Sequence, residues 1–239
     1  MTAALFFLSS FGLSLNPIKI ENLALENAPL VASLVMHAFY GPHKPLHGLV
    51  AWAQRRVIQA NILDDLRERQ AYYRSAKQNH SPHVGALLVA STQDGKVCGF
   101  LDIGMPAYCE EENTYDLPRL GASFPAAPLK LRAYLSNLAV EPSARRSGVG
   151  TLLLNACETL VLDWDPCPEA IWLECSESNT VGLRFYESIG FERVGTAAGR
   201  EIVRGPFSYD MTEVDRIVMR KPLLLAPEQP VQDASEEKR

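Results

Sequence analysis

Between Tyr134 and Ile189 the hydrophobic pattern switches from strand to helix spacing and back, which restricts this stretch to one supersecondary unit. Asn137–Val140 is β-rich and is stopped by Glu141-Pro142-Ser143. Arg145-Arg146-Ser147-Gly148-Val149-Gly150 then leads directly into Val149, Leu152, Leu153, Ala156 and Leu160, spaced by threes and fours as on a helix. Ile171–Cys175 reads as a second strand, and Asn179 heads a second helix. Gly148 and Gly150 at the helix start leave backbone N–H groups uncovered, where the helix dipole favours phosphate oxygens. Arg145 and Arg146 add positive charge beside them. On this motif alone, glycines that merely tighten a turn are an equal reading. The Walker sequence G-x-x-x-x-G-K-[ST] is absent, and Leu153 stands where a dinucleotide fingerprint needs its third glycine.

Three motifs follow one another in order. They are R-x-x-G-x-G after an L-A-V strand (Arg145–Gly150), I-W-L-E-C (Ile171–Cys175) and N-x-x-x-x-x-F-Y-E-x-x-G-F (Asn179–Phe191). In this order and spacing they resemble the GNAT superfamily of acetyl-CoA-dependent N-acetyltransferases, closely in the second half of the chain and loosely in the first. The resemblance implies a single α/β domain whose mixed, largely antiparallel sheet is splayed near the middle, with helices on both faces. It implies acetyl-CoA as cosubstrate; separately, His37, His43, His47, His80 and His83 show no metal-ligand spacing with Cys or carboxylates, so no metal is expected. Leu138, Ala139 and Val140 would offer strand backbone to the pantetheine arm, and Arg146, Ser147, Gly148, Val149, Gly150 and Thr151 would wrap the pyrophosphate with N–H groups. The long helix containing LDDLRERQAYY, together with the motif half, looks like the plastid and cyanobacterial branch, associated with acetylation of protein lysines and N-terminal α-amines.

Direct acetyl transfer needs a base to take a proton from the acceptor ammonium and an acid for the departing thiolate. Strand alternation sets Glu174 on the opposite face from Ile171, Leu173 and Cys175. A carboxylate in an otherwise apolar strand is costly unless paired or functional. Glu174 is therefore a candidate base, and some family members place one here; a half-exposed strand with Trp172 and Glu174 facing solvent is the alternative. Tyr186 would by itself be an ordinary member of a buried helical stripe. Its F-Y-E-x-x-G-F setting resembles the family segment whose Tyr serves as proton donor near the thioester sulfur. Asn179 suits both an N-cap and a cofactor contact.

Along the rest of the chain, residues 1–17 form an apolar segment, 18–225 the acetyltransferase-like domain, and 226–239 a polar tail expected to be disordered. The pattern predicts a strand at Ile18–Leu23, a helix at Pro29–Phe39 and a long helix over Gly48–Lys77. In that long helix Leu49, Ala53, Val57, Ala60, Leu63 and Leu66 mark the apolar stripe, and Arg55, Arg56, Asp64, Asp65, Arg67, Glu68 and Arg69 read as a solvated face. Val84–Ser91 and Val97–Ile103 form a hairpin turning at Asp94-Gly95 and buried on both faces. Pro106–Pro128 reads as a long loop, either a substrate-facing lid or a surface insertion. Phe191–Thr196 and Asp215–Leu223 read as closing strands around a loop at Ala197–Thr212.

The chain's 239 residues, 47% hydrophobic, suffice for one full core. A net charge of -5 argues against non-specific nucleic-acid binding. Five cysteines without C-x-x-C spacing argue against a disulfide framework or zinc site and fit a reducing compartment. The apolar start lacks the positive n-region of a secretory signal and is too short to span a bilayer. The expected setting is therefore the cytoplasm, with plastid stroma as the alternative and no membrane partner. A protein or peptide amine is the expected acceptor. A small amine, favoured by Glu110, Glu111 and Glu112, and a noncatalytic acyl-CoA-binding module are the alternatives.

Overall fold

The structure, a computed structural model, describes residues 17–41, 49–82, 84–109, 114–116, 129–204 and 208–223. The expectations for residues 1–16 and for the tail from Ala226 lie outside these residues. Strand β1 (Lys19–Asn22) is followed by helices α1 (Ala28–Tyr40) and α2 (Leu49–Gln78), then by strands β2 (Gly85–Ser91) and β3 (Val97–Gly104). Short strands β4 (Ala107–Cys109), β5 (Thr114–Asp116) and β6 (Leu129–Leu131) precede β7 (Ala133–Val140). The remainder is α3 (Val149–Leu162), β8 (Ala170–Ser176), α4 (Thr180–Ser188), β9 (Glu192–Arg204) and β10 (Tyr209–Pro222).

Seven strands form the main sheet in the order β1-β2-β3-β7-β8-β10-β9. Each neighbouring pair is antiparallel except β7 and β8, which are parallel and joined through α3, as a parallel crossover requires. Two apolar clusters fix the layers. On one face Leu101, Ile103, Leu135, Ile171, Leu173 and Met219 pack with Val149, Leu153 and Cys157 of α3 and Leu183 of α4. On the other, Leu87, Val89, Phe100 and Ala139 pack with Val31 and Val35 of α1 and Leu66 of α2. The β2–β3 hairpin is buried along nearly its whole length, as its continuous apolar pattern requires.

Three expectations need correction. Within Pro106–Pro128 the chain contains β4 and β5, which join β6 in a small sheet of order β5-β4-β6; residues 110–113 and 117–128 are outside the described set. Strands of three residues are too short to show a periodicity. The expected loop at Ala197–Thr212 is largely strand, because β9 and β10 pair from Tyr209↔Arg204 to Arg220↔Glu192 as one long ribbon. Its outer part is mostly exposed, so no alternation between apolar and polar residues marks it. The start of β10 folds onto the helices through Tyr209. The backbone N–H and C=O of Tyr209 both bond the Gln54 amide, Arg55 donates to the Tyr209 hydroxyl at 3.2 Å, and the Tyr209 ring meets Tyr40 edge-on.

The third correction is the face of α2. Leu49 is 79% exposed and Val57 58%, whereas Ala51, Arg55, Leu66, Gln70 and Ala76 are buried. The helix turns a partly polar face inward because that face has polar partners. Gln70 donates to the Leu23 carbonyl, and Arg69 meets a buried carboxyl on β3. The pairs Arg67–Asp64 and Arg69–Asp65 do form along the helix, as its charge pattern suggests.

Candidate active site

β7 and β8 pair only through Ala133↔Ile171, Tyr134↔Trp172 and Leu135↔Leu173. Beyond these three pairs β7 runs on to Val140 and β8 to Ser176 without touching. The separation has a local cause. The β3–β7 register shifts between Asp102 and Ile103, which pair with Asn137 and Leu135, so Ser136 is an extra residue in β7. A bulge of this kind bends its strand and sharpens the twist. Past it, the edge of β7 presents the backbone N–H and C=O of Leu138 and the N–H of Val140 to a wedge rather than to a neighbouring strand. The expected contribution of Ala139 needs correction, because the Glu141 N–H bonds the Cys98 carbonyl and this ladder phase turns the Ala139 groups toward Phe100 of β3.

The turn after β7 ends at the mouth of this wedge. Arg146 has φ 67° and Gly148 φ 88°, both left-handed. Backbone that visits this region curls successive N–H groups toward one point and makes an anion-binding hollow. Gly148 is the N-cap of α3 and supplies no side-chain cap, and Leu152 is the first helix residue whose N–H finds an acceptor, the Gly148 carbonyl. Among the described residues, none of the N–H groups from Arg146 to Thr151 donates to the protein. Six consecutive donors with no protein acceptor, at the positive end of a helix, fit a diphosphate. The Arg145 side chain does not point there, since its Nε donates to the Val140 carbonyl at 3.2 Å. The exposed Arg146 is left as the nearby cation.

The two candidate catalytic side chains flank the wedge from opposite faces of the sheet. Ile171, Leu173 and Cys175 are buried toward α3 and α4, and Trp172 and Glu174 are half-buried on the other face. Glu174, with a side chain 15% exposed, lies 3.6 Å from Arg216 of β10. Burial raises its pKa above the ordinary carboxylate value, and Arg216 only partly offsets this. Two residues back on this face, Trp172 carries Arg132 at 4.2 Å and Arg220 at 5.6 Å from its ring.

On the opposite face Tyr186 of α4 packs its ring against Phe185 and Phe191, with centroids 5.5 and 5.6 Å away. Its hydroxyl has no hydrogen-bond partner among the described residues. Burial, and then the neighbouring Cys175, push its pKa above the usual phenol value, so it stays protonated at neutral pH. Cys175 itself is pushed up to about 11 by burial and by the charge of Glu201, which leaves a neutral thiol and no thiolate nucleophile. Asn179 is the N-cap of α4, its side-chain oxygen accepting from the Gly182 N–H at 3.0 Å.

Residues 52–191 match the family described as Acetyltransferase (GNAT) family. The chain belongs to that family. This GNAT protein is accordingly an acetyl-CoA-dependent acetyltransferase, and its open wedge and unsatisfied turn fit a long thioester arm joined to a diphosphate. Among solved structures of the same fold is Naa20 of Chaetomium thermophilum, in complex with a bisubstrate analogue. It shares 17% identity at a TM-score of 0.55, over 85% of this chain and 86% of that one. The ribosomal-protein-S18-alanine N-acetyltransferase of Escherichia coli shares 19% identity at a TM-score of 0.51, over 88% and 97%. The PaiA N-acetyltransferase of Thermoplasma acidophilum, in complex with coenzyme A, shares 16% identity at a TM-score of 0.50, over 86% and 98%.

One polar cluster beside the wedge was not anticipated. Asp102, only 1% exposed, stands in the otherwise apolar strand Val97–Gly104 and is bonded by Arg69 and Tyr73. A lone carboxyl in an apolar strand is the signal that singles out Glu174 and applies equally here. Burial raises the pKa of Asp102, and the Arg69 guanidinium opposes the rise.

Proposed function

We propose that this GNAT acetyltransferase transfers the acetyl group of acetyl-CoA to a protein amine, either an N-terminal α-amine or a lysine side chain. The observation that carries this reading is the pair of groups across the wedge: a carboxylate with raised pKa on one face and a protonated, unpartnered phenol on the other. Glu174 takes a proton from the acceptor ammonium, directly or through one water. A carboxylate whose pKa lies nearer neutrality does this better than an ordinary one. The freed amine lone pair attacks the thioester carbonyl, the carbon–sulfur bond breaks, and the electron pair leaves on sulfur. Tyr186 donates a hydrogen bond to that sulfur. Full proton transfer from its raised phenol to a thiolate of pKa about 8.5 runs uphill, so stabilising the leaving charge is its main contribution. The second N–H proton, lost from nitrogen as the tetrahedral intermediate collapses, protonates the departing thiolate. The products are an amide and a free thiol, and the proton held by Glu174 is released to solvent.

In the same reading Leu138 and Val140 hold the pantetheine arm through the open edge of β7. The N–H groups from Arg146 to Thr151 hold the diphosphate, and Asn179 adds a contact at the head of α4. Support for a protein acceptor comes from two sources. Naa20 and the S18-alanine enzyme share the fold. The start of β10, docked through Tyr209 on Gln54, Arg55 and Tyr40, lies on the α1–α2 side of the sheet, the side that Glu174 faces and where an extended chain terminus can lie.

The test is incubation of the purified protein with acetyl-CoA and a mixed peptide library, read by mass spectrometry. New acetyl groups on peptide α-amines or lysines are expected. Turnover of spermidine or an aminoglycoside without peptide acetylation would overturn the protein-amine assignment.

A further inference from the structure

An open wedge needs something to keep it open. β7 and β8 run parallel, and each carries unpaired backbone groups toward the other, so continued zipping beyond Leu135↔Leu173 would recover hydrogen bonds that the splay forgoes. The bulge opposes zipping, yet a bulge is only a bent segment unless something fixes it. Here two bulge residues are tied to the face of the sheet that carries α2. Arg69 of α2 donates to the Ser136 hydroxyl at 3.3 Å and to the Asp102 carboxyl at 2.8 Å, and Asn137 stands directly opposite Asp102 in the β3–β7 register.

The second partner of Asp102 is seated in a slot shaped for it. The Tyr73 hydroxyl donates to Asp102 at 3.3 Å, and its ring lies over Gly85 and Gly104, which pair directly across β2 and β3. A side chain at either glycine would occupy the space of the Tyr73 ring, so two strands lack side chains where this tyrosine reaches the carboxyl. With Arg69 and Tyr73 both donating to it at 1% exposure, Asp102 has no path to an acceptor proton. It differs in this from Glu174, which meets one arginine at 3.6 Å and keeps some exposure.

We propose that Asp102 is a positioning residue for acetyl-CoA. Held by Arg69 and Tyr73, it fastens the Ser136–Asn137 bulge and so keeps β7 apart from β8 where the thioester arm enters. The two carboxyl groups beside the wedge then divide the work: Glu174 faces the reaction, and Asp102 holds the strand that receives the cosubstrate.

The test compares Asp102→Asn with the wild type in steady-state kinetics, together with the rise in Tm that saturating CoA produces. Arg69 keeps Asp65 as a partner at 2.9 Å, so the substitution does not strand a buried cation. Losing a charged hydrogen-bond acceptor at this position is expected to raise KM for acetyl-CoA roughly tenfold or more and to shrink the CoA-induced Tm shift. KM for the acceptor and kcat at saturating acetyl-CoA should stay within a few-fold. Tyr73→Phe, which removes one donor and leaves the ring in its slot, should move KM for acetyl-CoA in the same direction by a smaller factor. Ile20→Ala, in the core at edge strand β1 and separated from β7 by β2 and β3, serves as a control that lowers stability away from the wedge. The proposal is overturned if Asp102→Asn lowers Tm but leaves KM for acetyl-CoA within twofold. An equal rise in KM from Ile20→Ala would overturn it as well. If Asp102→Asn does not fold, Tyr73→Phe decides: an unchanged KM rejects the positioning role, and an increase supports it.

Discussion

Replacing Glu174 by Gln separates catalysis from stability, because the structure assigns the two effects different sizes. The Glu174–Arg216 pair is loose at 3.6 Å, with side chains 15% and 30% exposed. A partly exposed ion pair of this kind contributes about 0–1 kcal/mol. The sign of its pH dependence also limits the loss. Burial raises the folded-state pKa of Glu174, so its favourable contribution is fully present below its unfolded-state pKa and is lost as pH rises through the folded value. Once ionised, the carboxylate is a burden to the fold, and a neutral Gln in its place costs little. The Tm of Glu174→Gln should therefore stay within about 4 °C of wild type, the shift that ~1 kcal/mol produces in a domain of this size. The rate should fall much further, since a positioned general base contributes roughly 10²–10⁴-fold. The assay is kcat/KM for a peptide acceptor from pH 5 to 9, with Tm measured on the same samples. In wild type the limb owing to Glu174 should lie above the ordinary glutamate value of about 4.3, and in the variant that limb should be absent. A variant that keeps at least a third of wild-type kcat/KM with an unchanged pH profile would refute the assignment of Glu174 as the base.

Two further substitutions probe the cosubstrate side. Gly148 has φ 88°, a conformation that costs an L-residue about 1–2 kcal/mol, so Gly148→Val should weaken acetyl-CoA binding by roughly tenfold as the turn relaxes away from its N–H cradle. Isothermal titration with CoA checks this, and normal affinity would remove the turn from the diphosphate site. Tyr186→Phe should lower kcat about ten- to hundredfold, the value of one hydrogen bond to a charged group, and should leave Tm nearly unchanged because the hydroxyl bonds no other side chain.

The parts of the site that follow from local chain chemistry are legible in the sequence. Gly148 stands where a left-handed cap is needed, Asn179 caps α4 through Gly182, and alternation alone separates Glu174 from the buried Ile171, Leu173 and Cys175. Arg69 shows where such reading stops. It sits in a run of charges that looks like a solvated face, yet its side chain is only 16% exposed because a carboxyl 33 residues away lies beneath it. Helical periodicity records which residues are apolar and says nothing of polar residues with distant partners. The same limit hides the bulge at Ser136, which arises from the β3–β7 register, and the β9–β10 ribbon, whose exposed residues carry no alternating pattern.

The claim on which the rest depends is that acetyl-CoA lies in the β7–β8 wedge with its diphosphate on the turn before α3. Amide hydrogen exchange, read by mass spectrometry with and without saturating acetyl-CoA, tests it most directly. Exchange should slow at Arg146–Thr151, where six N–H groups lack protein acceptors, and along Ser136–Val140 at the open edge of β7. Bound acetyl-CoA with unchanged exchange at Arg146–Thr151 would contradict it.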